Sequence, residues 1–165
     1  KVWVLSEHVQ PEALFQFVVR QRESHGVRFI PVGPRALREA LQAMKRGEAV
    51  AAVADRDLQG HGLEVPFFGE PASIPTGVVD LAIHTGAPLI PGFCYRLARG
   101  RFRIEFGDEI VLDRSGRDKT TVERNLQKVV AVMEHYIRKA PDQWWVMEPI
   151  WGHTPTTDKD HSPPQ

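Results

Sequence analysis

The sequence predicts an α/β fold in which helices flank a mainly parallel or mixed sheet. Three observations support this prediction. Short apolar segments alternate with helix-like segments through the first half of the chain. Residues 49–54 are apolar at every position, which is typical of a central parallel strand that is buried on both faces. Segments 89–97 and 101–106 flank Ala98-Arg99-Gly100 and are predicted to form an antiparallel pair.

Local signals justify the elements in chain order. The predicted strands are short apolar segments bounded by turn residues: 2–5, 27–32, 49–54, 89–97 and 101–106. The predicted helices carry apolar residues three or four positions apart: 11–25, 36–45, 77–84 and about 120–138. Pro11 suits the start of the first helix, and Gly26 and Gly47 suit the ends of the first two. Residues 55–77 are predicted to form a loop.

The apolar faces of the helices and the polar residues at the end of the chain indicate where the folded domain ends. Leu37, Leu41 and Met44 are predicted to form the buried face of the second helix. The last helix has a longer apolar stripe, which comprises Val122, Leu126, Val129, Val130, Met133 and Ile137. Residues after 152 are polar and contain prolines. We therefore expect a domain over 1–152 and a disordered tail over 153–165.

Composition excludes several function classes. The chain has 165 residues, 42% of them apolar, which is enough for a core without disulfides. Its 21 basic and 21 acidic residues cancel, so no bulk charge favours nucleic acid as a partner. No apolar run approaches the length of about 20 residues that spans a membrane. The single cysteine, Cys94, is expected to be a buried thiol, and no residue set has zinc-ligand spacing.

Charged and aromatic residues cluster in the segment that follows the third predicted strand. Asp55, Arg56 and Asp57 come directly after it, where open α/β sheets place their ligands. We interpret Asp55 as orienting a substrate hydroxyl or a catalytic group and Arg56 as contacting a phosphate or a sugar. The alternative is a loop ion pair with helix-cap chemistry. Phe67 and Phe68 either line a groove for an apolar chain or close the core beneath the loop.

The sequence offers no convincing catalytic base. His25, His84 and His135 fall on helices or helix ends, and His61 lies in a glycine-containing loop where it could touch a ligand. There is no GxSxG elbow and no P-loop. Trp144 is expected to close the core. Trp145 and Trp151 fit a core position and a membrane interface equally well.

Several motifs carry a resemblance to a known family. They are PEALFQFVVRQRESHG before RFIPV, ADRDL followed by EVPFFGEP, TGAPLIPGF, and YIRKAPDQWW before PIW. In these segments the chain resembles the bacterial lipid A biosynthesis acyltransferases and is similar in particular to the actinobacterial phosphatidylinositol mannoside acyltransferases. The resemblance covers nearly everything from Val2 to Trp151.

The resemblance implies a glycerolipid-acyltransferase-like fold and acyl transfer to a hydroxyl of a membrane glycolipid. The implied acyl donor is acyl-CoA or an acyl carrier protein, with no other cofactor and no nucleic acid. The implied location is the cytoplasmic face of the bacterial inner membrane, either peripheral or anchored by an N-terminal segment. The family uses a histidine base with an acidic residue five positions on. We expect that motif to lie before Val2, so that these residues alone would be inactive.

The resemblance assigns supporting roles to residues of this chain. Glu7, Arg22 and Asp55 match supporting catalytic positions, and Arg22 would stabilise developing negative charge. Five residues match the substrate-binding segments, namely Arg56, Asp57, Phe67, Phe68 and Gly69.

Two alternatives remain open from the residues themselves. One is a lipid- or sugar-phosphate-binding domain without catalytic activity, in which the Asp55 loop binds a head group. The other is a different small α/β transferase that uses Asp55 as its base. Because the chain begins at Lys1 and runs directly into a strand-like segment, we also expect it to be part of a longer protein.

Overall fold

The computed structural model describes residues 1–33, 35–57, 60–146 and 149–152. Within these ranges the chain forms two compact units. The first comprises Lys1–Ala54 and Gly77–Leu89, and the second comprises Asp55–Thr76 and Ile90–Gln165. Four α-helices and seven strands confirm the α/β class among the described residues. The tail expected at 153–165 lies outside the described residues.

The first unit contains a parallel sheet. Its strands are β1 (Val2–Ser6), β2 (Val27–Pro31) and β3 (Ala49–Ala51), in the order β2-β1-β3. Val4 of β1 pairs with Phe29 on one side and Ala51 on the other, so β1 is the central strand.

The prediction that 49–54 is a central, buried strand is wrong in two respects. β3 ends at Ala51 and lies at an edge of the described sheet, because it pairs with β1 alone. Ala49 and Ala51 are exposed, and only Val50 between them is half-buried. An apolar run by itself did not distinguish a central strand from an edge strand.

Helices α1 (Glu12–Glu23), α2 (Ala36–Lys45) and α3 (Gly77–Thr85) complete this unit. Its core contains Ile30, Ala36, Ala40 and Leu81, with Trp3, Leu5, Leu41, Met44 and Val50 packed against it. The predicted face of α2 is partly wrong, since Leu37 is 60% exposed. Alanines form the buried stripe of α2 instead, and their small side chains permit a close approach to the neighbouring strands.

The second unit is built from two antiparallel hairpins and a long helix. The strands are β4 (Leu63–Phe67), β5 (Glu70–Ile74), β6 (Gly92–Arg96) and β7 (Phe102–Phe106), and the helix is α4 (Lys119–Ile137). The predicted antiparallel pair is confirmed as β6–β7. The loop predicted at 55–77 is wrong over β4–β5. The hairpin was not predicted because it contains Pro66 and Pro71, and proline is rare in strands. In the structure the two prolines lie opposite each other in the register of the hairpin.

Helix α4 organises the second unit. All six residues of its predicted apolar stripe are buried. Asn125 is buried beside them, and its side chain accepts from Asp113 N and donates to Asp113 O, both at 2.8 Å. The helix begins at an Asp118 cap whose Oδ1 accepts from the Thr121 backbone N–H at 3.0 Å. No helix in the described part of the chain is both long enough and apolar enough to cross a membrane.

The expectation of a buried Cys94 thiol is wrong, since the side chain is exposed. The alternation of β6 explains this. Phe93 and Tyr95 lie on one face of the strand, where Phe93 stacks on Tyr136 of α4 at 4.0 Å and Tyr95 donates to the Tyr136 carbonyl. Cys94 therefore points to the opposite face, on which its register partner Ile104 is also exposed.

Candidate functional site

Asp55 is held by a residue near the end of the chain. The Trp144 indole Nε1 donates to Asp55 Oδ2 at 2.9 Å, and both side chains are half-buried. Trp144 is the one hydrogen-bond donor to this carboxylate among the described residues. A carboxylate fixed in this way retains acceptor capacity for a ligand hydroxyl. Arg56 lies next to it in the chain and is also half-buried.

Asp57 organises the loop that follows. Its carboxylate accepts hydrogen bonds from the backbone N–H groups of Gly60, His61 and Gly62, at 3.0, 3.4 and 2.7 Å. It also accepts from Ser73 Oγ at 2.8 Å, which links the loop to β5. This geometry gives Asp57 a loop-ordering role. Substrate contact by Asp57 stays a prediction.

Gly62 leaves no room for a side chain beside Asp57. A Cβ at this position would lie 2.6 Å from Ser73 Oγ, 2.7 Å from the Ile74 carbonyl oxygen and 2.8 Å from Asp57 Oδ2. Glycine is therefore required for the backbone to approach β5 so closely.

Phe68 and Gly69 form the two-residue turn between β4 and β5. Phe67 and Glu70 are the last paired residues, and the turn residues have φ values of 52° and 89°. Positive φ at both positions is the signature of a type I′ turn, which usually contains asparagine or glycine. A phenylalanine with positive φ is strained, and such strain often accompanies function.

Helix α4 supports this strained turn. Glu134 Oε1 accepts from the Phe68 backbone N–H at 2.7 Å, and the Arg138 guanidinium lies over the Phe68 ring, 5.0 Å from its centroid. The Phe68 N–H, followed by Arg138, holds the pKa of the Glu134 carboxyl below its ordinary value. The turn is thus fixed to α4 through both its backbone and its ring.

Aromatic rings connect the turn with Asp55. Phe67 is fully buried, and its ring centroid lies 5.5 Å from that of Trp144 and 5.8 Å from that of Trp151. Phe68 lies 6.1 Å from Trp144 and remains half-buried. Trp151 also donates to the Phe67 carbonyl at 2.9 Å. We call Phe67, Phe68, Trp144 and Trp151 the aromatic cluster. Of the two phenylalanines that were predicted to bind substrate, Phe68 is the one whose side chain is partly exposed.

The terminal tryptophans have different environments. Trp144 packs in the aromatic cluster, as expected for core closure. Trp151 forms an antiparallel bridge with Ala72 of β5 while remaining partly exposed. Trp145 is 84% exposed.

Glu7 and Arg22 belong to the first unit. Glu7 directly follows β1, the central strand, and is exposed. Arg22 lies in the last turn of α1 with its guanidinium over the Phe29 ring, 5.3 Å from the centroid. The structure therefore brings Asp55, Asp57, Phe67 and Phe68 together in the second unit, while Glu7 and Arg22 lie in the first.

His8 was not among the residues predicted from the sequence to have a role. Its Nε2 lies 2.7 Å from Glu12 Oε2, and its ring packs against Phe15 at a centroid distance of 4.5 Å. Hydrogen bonds from Gln16 and then His8 lower the pKa of the Glu12 carboxyl. The i,i+4 spacing across the start of α1 is the signal that could have revealed the pair. Among the described residues, no group of three histidines, cysteines or carboxylates could hold a metal ion.

Comparison with known proteins identifies related sequences. The family model described as "Bacterial lipid A biosynthesis acyltransferase" matches residues 1–152. A phosphatidylinositol mannoside acyltransferase of Mycobacterium tuberculosis (strain H37Rv) is 33% identical over 152 residues, which cover 89% of this chain and 46% of the relative. The Mycolicibacterium smegmatis protein of the same name is 32% identical over 150 residues, covering 89% and 47%. The chain thus spans about half the length of these relatives.

Proposed function

The chain belongs to the bacterial lipid A biosynthesis acyltransferase family, and we propose that the protein transfers a fatty acyl chain to a hydroxyl of a membrane glycolipid. The family match over residues 1–152 carries this proposal. The relatives' names support a phosphatidylinositol mannoside as the acceptor class. We further propose acyl-CoA or an acyl carrier protein as the donor, with no additional cofactor.

The proposed reaction transfers an acyl group from the sulfur of a thioester to a hydroxyl oxygen, so that an oxygen ester and a free thiol are formed. The acceptor hydroxyl oxygen attacks the thioester carbonyl and loses its proton to a general base, and the thiol of the donor leaves after collapse of the tetrahedral oxyanion. In the family that the chain resembles, that base is a histidine. Asp55 is proposed to accept a hydrogen bond from an acceptor hydroxyl and so to orient it.

Supporting roles are proposed for other charged residues. Arg56 would contact the polar head group of the acceptor. Arg22 would stabilise the negative charge that develops on the thioester oxygen, and Glu7 would act as a supporting acidic group. The exposed part of the Phe68 ring, together with the Gly69 turn, would contact the acyl chain.

The proposed place of action is the cytoplasmic face of the inner membrane. A glycolipid acceptor resides in a bilayer, and the protein must therefore reach the membrane surface to act on it. A peripheral contact is the mode that we propose for this part of the chain.

Acyl transfer by two variants tests the site. The full-length product of the gene that encodes this chain would be incubated with radiolabelled acyl-CoA and a phosphatidylinositol mannoside acceptor. Asp55→Asn keeps an oxygen to accept from Trp144, and Arg22→Ala removes one guanidinium. Each should lower turnover by about tenfold or more, because each removes a charged group to which a supporting catalytic role is proposed.

Two control substitutions distinguish loss of a catalytic group from a nonspecific effect of changing surface charge. Glu64→Gln changes an exposed carboxylate on β4, and Arg20→Ala changes an exposed arginine on α1. Both should retain wild-type turnover. Wild-type rates in Asp55→Asn and Arg22→Ala would contradict the site assignment. Binding of acceptor without transfer by the wild-type protein would support the non-catalytic alternative.

A further inference from the structure

The turn of the β6–β7 hairpin has a concentration of positive charge. Four arginines, Arg96, Arg99, Arg101 and Arg103, occur within eight residues that contain no acidic side chain. All four are exposed. We call residues 96–103 the basic hairpin tip. The whole chain has no net charge, so its composition does not reveal this local cluster of positive charge.

Two of these arginines form no ion pair with another described residue. Arg103 pairs with Glu105 at 2.9 Å and lies over the Tyr95 ring, while Arg96 lies over the Phe102 ring. Arg99 and Arg101 have no ion-pair partner among the described residues. Arg99 also has a φ of 61°, a conformation that costs energy for any residue with a Cβ. The fold therefore presents two unpaired guanidinium groups at a strained turn.

Exposed apolar side chains flank the arginines. Phe102 is 60% exposed and Leu97 is 37% exposed. Gln143 joins the C-terminal segment to the end of β6. Its side chain accepts from Arg96 N at 2.7 Å and donates to Arg96 O at 3.2 Å. Trp145 follows Gln143 by two residues and is 84% exposed. The exposed Trp145 thus follows closely on a residue that contacts Arg96, and the Arg96 guanidinium lies over the exposed Phe102 ring.

We propose that the basic hairpin tip, together with Trp145, docks onto the surface of an anionic lipid bilayer. Unpaired arginines complement anionic head groups, and each basic residue near such a surface strengthens attachment. Tryptophan and phenylalanine favour the zone where head groups meet acyl chains. An acidic protein partner would use the arginines but would give the exposed aromatic rings no comparable environment.

Docking at this surface deepens the proposed function, since it would bring Asp55 to a membrane-bound acceptor. Gln143 contacts the end of β6, and the next residue, Trp144, holds Asp55. The inference rests on the proposed function only for that consequence. Vesicle binding requires no acyl transfer, so its failure and the failure of the proposed enzyme activity are distinguishable.

Sedimentation with vesicles tests the proposal. The probes are vesicles of phosphatidylcholine alone and vesicles in which about a third of the lipid is phosphatidylglycerol. The wild-type chain should bind the anionic vesicles and bind the neutral ones far more weakly. The double variant Arg99→Glu/Arg101→Glu should lose about tenfold or more of its affinity for anionic vesicles. Arg35→Glu/Arg38→Glu makes the same charge change at exposed positions of the first unit and should bind like the wild type.

Tryptophan fluorescence gives a second measurement. The emission of the wild-type chain should shift to shorter wavelength on anionic vesicles, and Trp145→Phe should lose most of that shift. Equal sedimentation of the Arg99/Arg101 variant and the wild type would overturn the proposal, as would equal losses in both charge-reversed variants. It would also fail if the chain bound an acidic acyl carrier protein through these arginines and bound neither kind of vesicle.

Discussion

Trp144 donates a 2.9 Å hydrogen bond from its indole to the carboxylate of Asp55, although the two residues are 89 positions apart in sequence. The bond lies beside the aromatic cluster, in which Trp144 contacts both phenylalanines of the Phe67-Phe68 pair. The orientation of the proposed acceptor-binding carboxylate therefore depends on the correct packing of the C-terminal segment.

Trp144→Phe should test this dependence. The variant removes the indole donor and keeps an aromatic ring in the cluster, so we expect a loss of about 1 kcal/mol in the free energy of unfolding. In the full-length protein kcat should fall several-fold while KM for the acyl donor stays unchanged. Trp151→Phe is the matched control, since it removes a hydrogen bond to the Phe67 carbonyl but none to Asp55. An equal fall of kcat in both variants would contradict a positioning role for Trp144.

Glu134→Ala should destabilise the second unit. The substitution leaves the Phe68 N–H without its acceptor and removes the support of a turn with positive φ. We expect a loss of about 1–2 kcal/mol in the free energy of unfolding, measured by urea denaturation. Glu123→Ala provides the control, because the half-buried Glu123 makes only an i,i+4 ion pair with the exposed Lys119, at 3.6 Å. A loss no larger than that of the control would show that Glu134 does not support the turn.

Gly62→Ala should disrupt the loop that Asp57 orders. The new methyl group would approach Ser73, Ile74 and Asp57 to within 2.8 Å or less, so that either β5 or the loop must shift. A loss of about 1–3 kcal/mol in the free energy of unfolding is expected. Gly33→Ala adds a methyl group in open space and should change stability little. A Gly62→Ala protein as stable as this control would contradict the close approach.

Acid should destabilise the protein partly through Asp118. Hydrogen bonds from Thr121 lower the pKa of this carboxyl below its ordinary value of 3.8. A carboxyl with a lowered folded-state pKa contributes stability above its unfolded-state pKa, and that contribution disappears as the pH falls through the folded-state value. The loss should therefore begin below pH about 4.

Asp118→Asn isolates this contribution. Asparagine also caps helices, so stability near neutral pH should change little, while the decline in acid becomes shallower. Urea denaturation at a series of pH values measures both effects. If the two proteins declined in parallel below pH about 4, Asp118 would not contribute to the acid sensitivity.

Helical periodicity and the family motifs could be read from the sequence. The buried stripe of α4 agrees with its spacing residue by residue, because a long amphipathic helix buries the same face in any packed environment. The β6–β7 pair was also predictable, since it joins two nearby segments through a short turn.

Features that depend on distant residues could not be read in this way. The β4–β5 hairpin contains two facing prolines and a phenylalanine with positive φ, which oppose the usual strand and turn signals. Its turn is held by Glu134 and Arg138 of α4, which lie far away in the sequence. The exposure of Cys94 likewise follows from which face of β6 meets α4.

The sequence by itself determined the α/β class, the helices and the family, because each depends on local patterns or on short motifs. Only the tertiary structure decided that Asp55 is held by Trp144, that Asp57 orders a loop, and that Gln143 joins the C-terminal segment to Arg96. The physical reason is that hydrogen bonds and ring contacts join residues far apart in sequence, and their partners are chosen by packing.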